Sequence, residues 1–490
     1  MTRTTRTVSS TSTDQSVPVA PPDRSPRWRR LLGRAVALIV STVLAVSMAG
    51  LTWAGGRLPA NQSIPVTAAD VPAPAGEAVY NCHAAPNNTL GAVSVGKTTS
   101  TTTLTSLDER SSLAYKGESL TKPVTSLTEA TGGMLTVDPN GEKPIGAVGV
   151  TTTLSADGDL RGLAAAPCTP PEAISWIVGG STALGSSAEL RLTNPGTTSV
   201  TATIHLYGSV GEISLPSDGQ VVVPPGKTMG VLLEAAGTDP RLALSLEAVG
   251  GTLVPALVTE SLDGETAAGT EVLTGGAAPA TDLTIPGVAL VDAADQGETA
   301  PDAAAGAPDS SDAPSVRLVN PGSETATVSI SMIGSDGEQS LPGADSVAVD
   351  PGAVFDVSLS GVPAGEYGVR VSSDSPVAAG VRLVRSAGEY PERSGALLHD
   401  VAWLQAATPA AGEAGSIALP RGEGLTSSLV LTNSGQKPAA VTLAGSASQE
   451  VTAAAVVTAK VSGNAAGTLI AAVPAVADST ALAESHLLLH

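Results

Sequence analysis

Aromatic side chains are nearly missing from this chain: they make up 2% of its 490 residues, with a single Phe, Phe355. Rings carry much of the burial in many cores, so any core here rests on Val, Leu, Ile and Ala. Charge is also scarce, at 14%, and one sign dominates, with 46 acids against 25 bases and a net charge of −21. Binding a phosphate backbone needs a basic face, so a nucleic-acid partner is excluded. Only two cysteines occur, Cys82 and Cys168. What is abundant is apolar aliphatic residue, Gly (53) and Pro (36) within a 42% hydrophobic composition. That mixture fits folded cores made of short strands and many turns better than long helices.

The basic residues are unevenly placed. Residues 1–34 hold seven Arg and two acids, leaving 18 bases against 44 acids in the remainder. Directly after Arg34, residues 35–54 (AVALIVSTVLAVSMAGLTWA) carry no charge. A helix of that length spans roughly 30 Å, the thickness of bilayer hydrocarbon. Trp28 and Trp53 flank it, and the Arg cluster predicts a cytoplasmic N-terminus. The segment has a second reading, as a signal peptide cleaved near Ser47-Met48-Ala49, which would give a secreted protein. In either case the bulk of the chain is expected outside the cytoplasm. An even pair of cysteines there reads as a Cys82–Cys168 disulfide.

Three segments align: AELRLTNPGTTSVTATIHLYGSVGE (188–212), PSVRLVNPGSETATVSISMIGSDGE (314–338) and SSLVLTNSGQKPAAVTLAGSASQE (427–450). Each is an alternating strand, a turn, and a second alternating strand. The turns are Asn194-Pro195-Gly196, Asn320-Pro321-Gly322 and Asn433-Ser434-Gly435, where Asn-x-Gly is expected to supply the backbone conformations of a tight turn. A further strand is expected before each turn motif: Trp176–Val178, Val288–Leu290 and Val401–Leu404. Trp176 and Trp403 would then sit at equivalent positions, which favours core packing over a sugar-binding platform. The fold class expected is all-β: tandem immunoglobulin-like β-sandwich modules after one N-terminal transmembrane helix. The boundaries expected are a basic tail (1–34), the membrane helix (35–54), a stalk (55–78) and an N-terminal β domain with the disulfide (79–171). Three repeats follow, at 172–282, 283–398 and 399–490, the last shortened, with a disordered acidic loop at 291–314.

The basic tail, single span, Cys-bounded β region and the stretch LRGLAAAPCTPPEAISWIVGGSTALGSSAELRLTNPG (160–196) together resemble a family of actinobacterial envelope proteins, a domain of unknown function. The resemblance implies a high-GC Gram-positive cell envelope. It brings no catalytic residues to transfer. Ser434, where the other copies have Pro, implies a different turn geometry in the third copy.

Motifs for chemistry are weak. Residues 91–98 (GAVSVGKT) fit the phosphate-loop pattern, but that chemistry needs a helix from Lys97, and the Thr-rich stretch after it favours strand. Ser94-Val95-Gly96-Lys97 spells SxxK without its KTG partner. The five His form no close ligand pair, and the acids at Asp157/Asp159 and Asp336/Glu338 lack calcium-loop spacing. No catalytic, cofactor or metal residue is assigned. The expected function is a noncatalytic, membrane-anchored extracytoplasmic scaffold whose partners are envelope proteins or wall glycopolymers. The alternative is an envelope enzyme, or an accessory subunit of a wall-glycopolymer enzyme, with a site between modules.

Overall fold

A computed structural model of the chain describes residues 27–55, 76–90, 96–107, 112–122, 124–128, 131–139, 146–291, 313–389, 397–407, 414–418, 428–443, 448–451, 455–460, 468–472 and 482–485. The expected stalk, the acidic loop after residue 291 and the tail before Arg27 lie outside these. The chain divides into two units, 1–73 and 74–490.

The first unit contains α1 (Arg27–Gly55), which starts earlier than expected and takes in the end of the basic tail. Its apolar side chains are open, with Leu38, Ile39, Val43 and Leu51 all more than half exposed. Thr42 and Ser47 donate their hydroxyls back to the carbonyls of Leu38 and Val43, at 2.7 and 2.8 Å. Among the described residues no helix is long and apolar enough to cross a membrane. Side chains are described without a break only over 35–51, so the expected span at 35–54 lies partly outside them.

Among its described residues the second unit is β apart from two short 3-10 turns, Pro216–Gly219 and Leu233–Ala235. Its first domain contains β1 (Ala78–Cys82), β2 (Thr98–Ser106), β3 (Ser112–Tyr115), β4 (Glu118–Leu120), β5 (Val124–Thr128), β6 (Gly133–Asp138), β7 (Ala147–Ser155) and β8 (Gly162–Pro167). They form two antiparallel sheets, β1-β6-β3-β4 and β5-β2-β7-β8. Leu104, Leu113, Leu135 and Val137 pack between them. Hydroxyls of the Thr-rich β2 pair across the ladder with β7: Thr98 with Ser155, Ser100 with Thr153 and the buried Thr102 with Thr151, at 2.9–3.1 Å. The Cys82–Cys168 disulfide ties the end of β1 to the residue after β8.

The first repeat comprises β9 (Ile174–Val178), β10 (Ser186–Thr193), β11 (Val200–Gly208), β12 (Gly211–Ile213), β13 (Gln220–Val223), β14 (Thr228–Leu232), β15 (Ala243–Val249), β16 (Val254–Asp263) and β17 (Thr266–Leu273). One sheet is ordered β14-β10-β16-β17; the other is β12-β11-β15-β9, with β13 beside β11. Leu190, Leu192, Ile204, Leu206, Leu244 and Leu257 close the space between them. The alternation read in the sequence fixes which residues these are. An immunoglobulin domain keeps its first strand in the sheet of its second and its last strand in the other. Here β9 pairs with β15, while β16 and β17 join the sheet of β10, so the outer strands are exchanged.

The second repeat has β18 (Ala280–Leu290), β19 (Ser315–Val319), β20 (Ala326–Gly334), β21 (Gly337–Ser340), β22 (Val347–Val349), β23 (Val354–Ser358), β24 (Gly365–Glu389) and β25 (Leu397–Gln405). Its 25-residue β24 serves both sheets. The early part pairs with β18 and β20, the later part with β19 and β25. It thus does the work of β15 and β16 without a turn. Pro376 lies at the crossing, where a missing N–H costs no ladder bond. The third repeat has β26 (Ala414–Ala418), β27 (Ser428–Asn433), β28 (Ala439–Leu443), β29 (Ser448–Val451), β30 (Ala455–Lys460), β31 (Thr468–Ala472) and β32 (Leu482–Ser485). Its sheets, β26-β31-β28-β29 and β30-β27-β32, match those of the first repeat without a counterpart of β17 among the described residues.

Two sequence expectations are corrected by this pairing. The boundaries at 282/283 and 398/399 fall inside β18 and β25. Trp403 lies on the last strand of its repeat, paired with β24, whereas Trp176 lies on the first. The two Trp are therefore not equivalent, and the true counterpart of β9 in the third copy is β26.

Candidate functional site

The three turn asparagines are fully buried. Asn194 donates its amide to the carbonyls of Thr198 and Val223, at 2.8 and 2.9 Å, and accepts the Gly196 N–H at 2.9 Å. Asn320 does the same with Glu324, Val349 and Gly322. Asn433 bonds Lys437 and Gly435 in the same way, so Ser434 leaves the turn geometry unchanged, contrary to expectation. Gly196, Gly322 and Gly435 are not in the left-handed region. The side chain of Asn makes the turn, and Gly is there because a Cβ would crowd that side chain, at 3.0 Å from Oδ1 in the case of Gly322. Pro195 and Pro321 fill the intervening position. These residues are architectural. Asn320→Ala should cost about 3 kcal/mol, because the buried Val349 carbonyl, the Glu324 carbonyl and the Gly322 N–H lose their partner. Urea unfolding would record this as a lower midpoint at an unchanged slope.

Three residues before each of these Asn lies a position that the sequence reading left unused. In the first two copies it is Arg191 and Arg317, in the third Val430. Each reaches into the preceding module. Arg191 donates to the carbonyls of Ala84 and Ala85, at 3.3 and 3.0 Å, with Glu189 on its Nε. Arg317, 4% exposed, forms a fork with Asp356 at 2.8 Å on both nitrogens. It also donates to the carbonyls of Gly180, Leu242 and Pro240 in the first repeat. The Trp403 ring lies 4.7 Å from its guanidinium. Beside it, the Gln405 amide pairs with both backbone groups of Val178 at 2.9 Å, as a strand would. Val430 instead packs against Ile333 of the second repeat.

Carboxylates complete these seams. Glu260 on β16 accepts the N–H and hydroxyl of Thr89 at 2.7 and 2.8 Å. At a second seam, the outer edge of β8 meets β17 and β25. Glu271 accepts N–H groups from Ala165 and Val272, at 3.2 and 2.8 Å. Asp400 accepts from Leu163 and Val401, at 3.1 and 3.0 Å. Burial holds the Glu271 carboxyl well above the usual range, and the charge of Asp400 adds to this. Burial likewise pushes Asp400 up to about 7, opposed by its two N–H donors and by Arg385. Gly162 leaves room for Asp400: a Cβ there would lie 2.5 Å from Oδ1. Nearby, His83 is buried, hydrogen-bonded to Thr169 at 3.1 Å, and lowered to about 4 by burial and by Arg191. A cavity lined by His83, Thr151, Thr153 and Val272 has room for about one water.

Residues 124–472 match the model of a family described as "Family of unknown function (DUF5719)". The chain belongs to this family. The family region begins at β5 and ends with β31, so it takes in Arg191 and Arg317, the acid pair, all three turn asparagines and Cys168, but not Cys82, α1 or the Ala84 and Ala85 carbonyls that Arg191 reaches. No curated protein and no solved structure matches the chain significantly.

The remaining motif residues of this family member are spent locally. Lys97 precedes β2, not a helix, and its N–H bonds the Asp157 carboxylate at 2.5 Å; residues 91–95 lie outside the described ones. Asp159 accepts from Asn88. His205 faces outward and pairs with Glu212 at 2.8 Å. Trp176 stacks on Tyr207 with ring centres 5.7 Å apart. Among the described residues no three His, Cys, Asp or Glu side chains converge to hold a metal.

Proposed function

We propose that this member of the family is a noncatalytic, membrane-anchored scaffold on the outer side of an actinobacterial cell envelope, with α1 as its anchor. The observation that carries the reading is where the buried ionisable side chains go. Arg191, Arg317, Glu260, Glu271 and Asp400 all bond backbone groups of a neighbouring module. Third-repeat strands also lie against earlier modules, β26 against β7 and β27 against β18. Side chains spent in this way fix the modules against one another and leave loops and sheet faces for partners. The disulfide supports an oxidising location, and the open apolar side chains of α1, with hydroxyls satisfied within the helix, suit a lipid environment. The modules are read as immunoglobulin-like sandwiches with their outer strands exchanged.

The partners are envelope proteins, with wall glycopolymer as the rival ligand. Photo-crosslinking residues placed at exposed Leu184 and Val210 in the full chain, in cells, should yield discrete protein adducts. Adducts to glycan alone would overturn the protein-scaffold reading. The enzyme reading draws on the converging Glu271 and Asp400. Mutating both to amides would abolish a catalytic role, and a wall composition unchanged by that variant would remove that reading.

A further inference from the structure

We propose that Glu271 and Asp400 form a proton-dependent clasp that holds the edge strand β8 against the first and second repeats. The geometry is that of a strand edge capped by side chains. β8 is the last strand of its sheet, so its outward N–H groups would otherwise stand open. Leu163 and Ala165 donate those N–H groups to Asp400 and Glu271, which come from two different modules. Strand addition at an edge ordinarily uses a partner backbone; here two carboxyls take its place.

The charged surroundings decide how the clasp responds to pH. β8 itself (GLAAAP) carries no titratable side chain. On β16, Thr259 stands opposite Glu271. From β24 comes Arg385, whose own proton affinity is lowered by burial and which donates to the Ala289 carbonyl. Arg385 thus acts on Asp400, and burial outweighs it, leaving Asp400 at about 7; Glu271 is raised by burial and by Asp400. With β8 docked the carboxyls favour the neutral form; with β8 lifted and water admitted they ionise near the ordinary values of 3.8 for Asp and 4.5 for Glu. The lifted state therefore binds fewer protons between about pH 4 and pH 7, so docking weakens as pH rises through that window. The clasp is tightest in acid.

Hydrogen exchange on the full chain tests this at single amides. Protection of Leu163 and Ala165, corrected for intrinsic exchange, should fall at least about tenfold between roughly pH 5 and pH 7.5. The Ala164 and Ala166 amides, which alternate with them towards β7, should change less. The Asp400→Asn, Glu271→Gln double variant should flatten the pH response. If that variant does not fold, the wild-type profile alone decides. Equal protection of Leu163 and Ala165 at both pH values, or an undiminished pH response in the folded double variant, would overturn the clasp.

Discussion

Replacing Arg317 with alanine should destabilise the chain by roughly 3–5 kcal/mol, the range seen when one partner of a buried ion pair is removed. Three carbonyls of the first repeat lose their donor and Asp356 loses its counter-ion. The Trp403 ring also loses the cation stacked over it. Lysine should not restore the loss: a single ammonium cannot make the fork to Asp356, reach three carbonyls and lie flat on an indole at once. Methionine is the informative control, because its length fills the space while leaving the same polar groups unpaired. Urea denaturation followed by Trp fluorescence measures the effect, and Trp403 itself reports on the seam. If Arg317→Ala unfolds within about 1 kcal/mol of wild type, the arginine is not what fastens the first repeat to the second.

Removing the disulfide should have a comparable effect, confined to the first β domain. A bridge closing 86 residues restricts the unfolded chain by about 4–5 kcal/mol on the loop-entropy model. The domain it closes has a small aliphatic core around Leu104 and Leu135, so that loss is a large share of its stability. The Cys82→Ser, Cys168→Ser double variant should show a lower melting transition for this domain. The loop 83–90 should gain exchange as well, since it starts at Cys82 and is pinned to the first repeat through Ala84, Ala85 and Thr89. An unchanged transition would mean that the seam contacts alone hold the domain together.

Much of this architecture was legible from residue pattern. Asn194, Asn320 and Asn433 marked the repeat, and the alternating strands around them gave both sheets of each module. The cysteine count gave the bridge. Failures arose where pattern carries two meanings. Nothing in the pattern set Pro376 apart, yet it sits where β24 passes from one sheet to the other. Val401–Leu404 reads as an opening strand because an apolar run does not say which neighbour it pairs with; it closes the second repeat instead.

The seam residues were hidden for a different reason. Arg191 and Arg317 alternate with buried leucines and so looked like ordinary outward positions of a strand. A signal was nonetheless present, since both stand three residues before the turn Asn and a surface position has no reason to repeat a cation there. Glu271 in TAAGTEVL and Asp400 in LLHDVAWLQ are single acids within apolar strands. Such acids mark a buried contact, but only the packing of β8 across two modules names the partner.

An envelope role requires the modules to lie outside the cytoplasm. The direct measurement is a pair of reporters fused after Pro171, one that fluoresces or reacts only in the cytosol and one active only in an oxidising exterior. The exterior reporter alone should be active, in the membrane fraction. Activity of the cytosolic reporter alone would contradict the anchor, the envelope role and the oxidised state of Cys82 and Cys168 together.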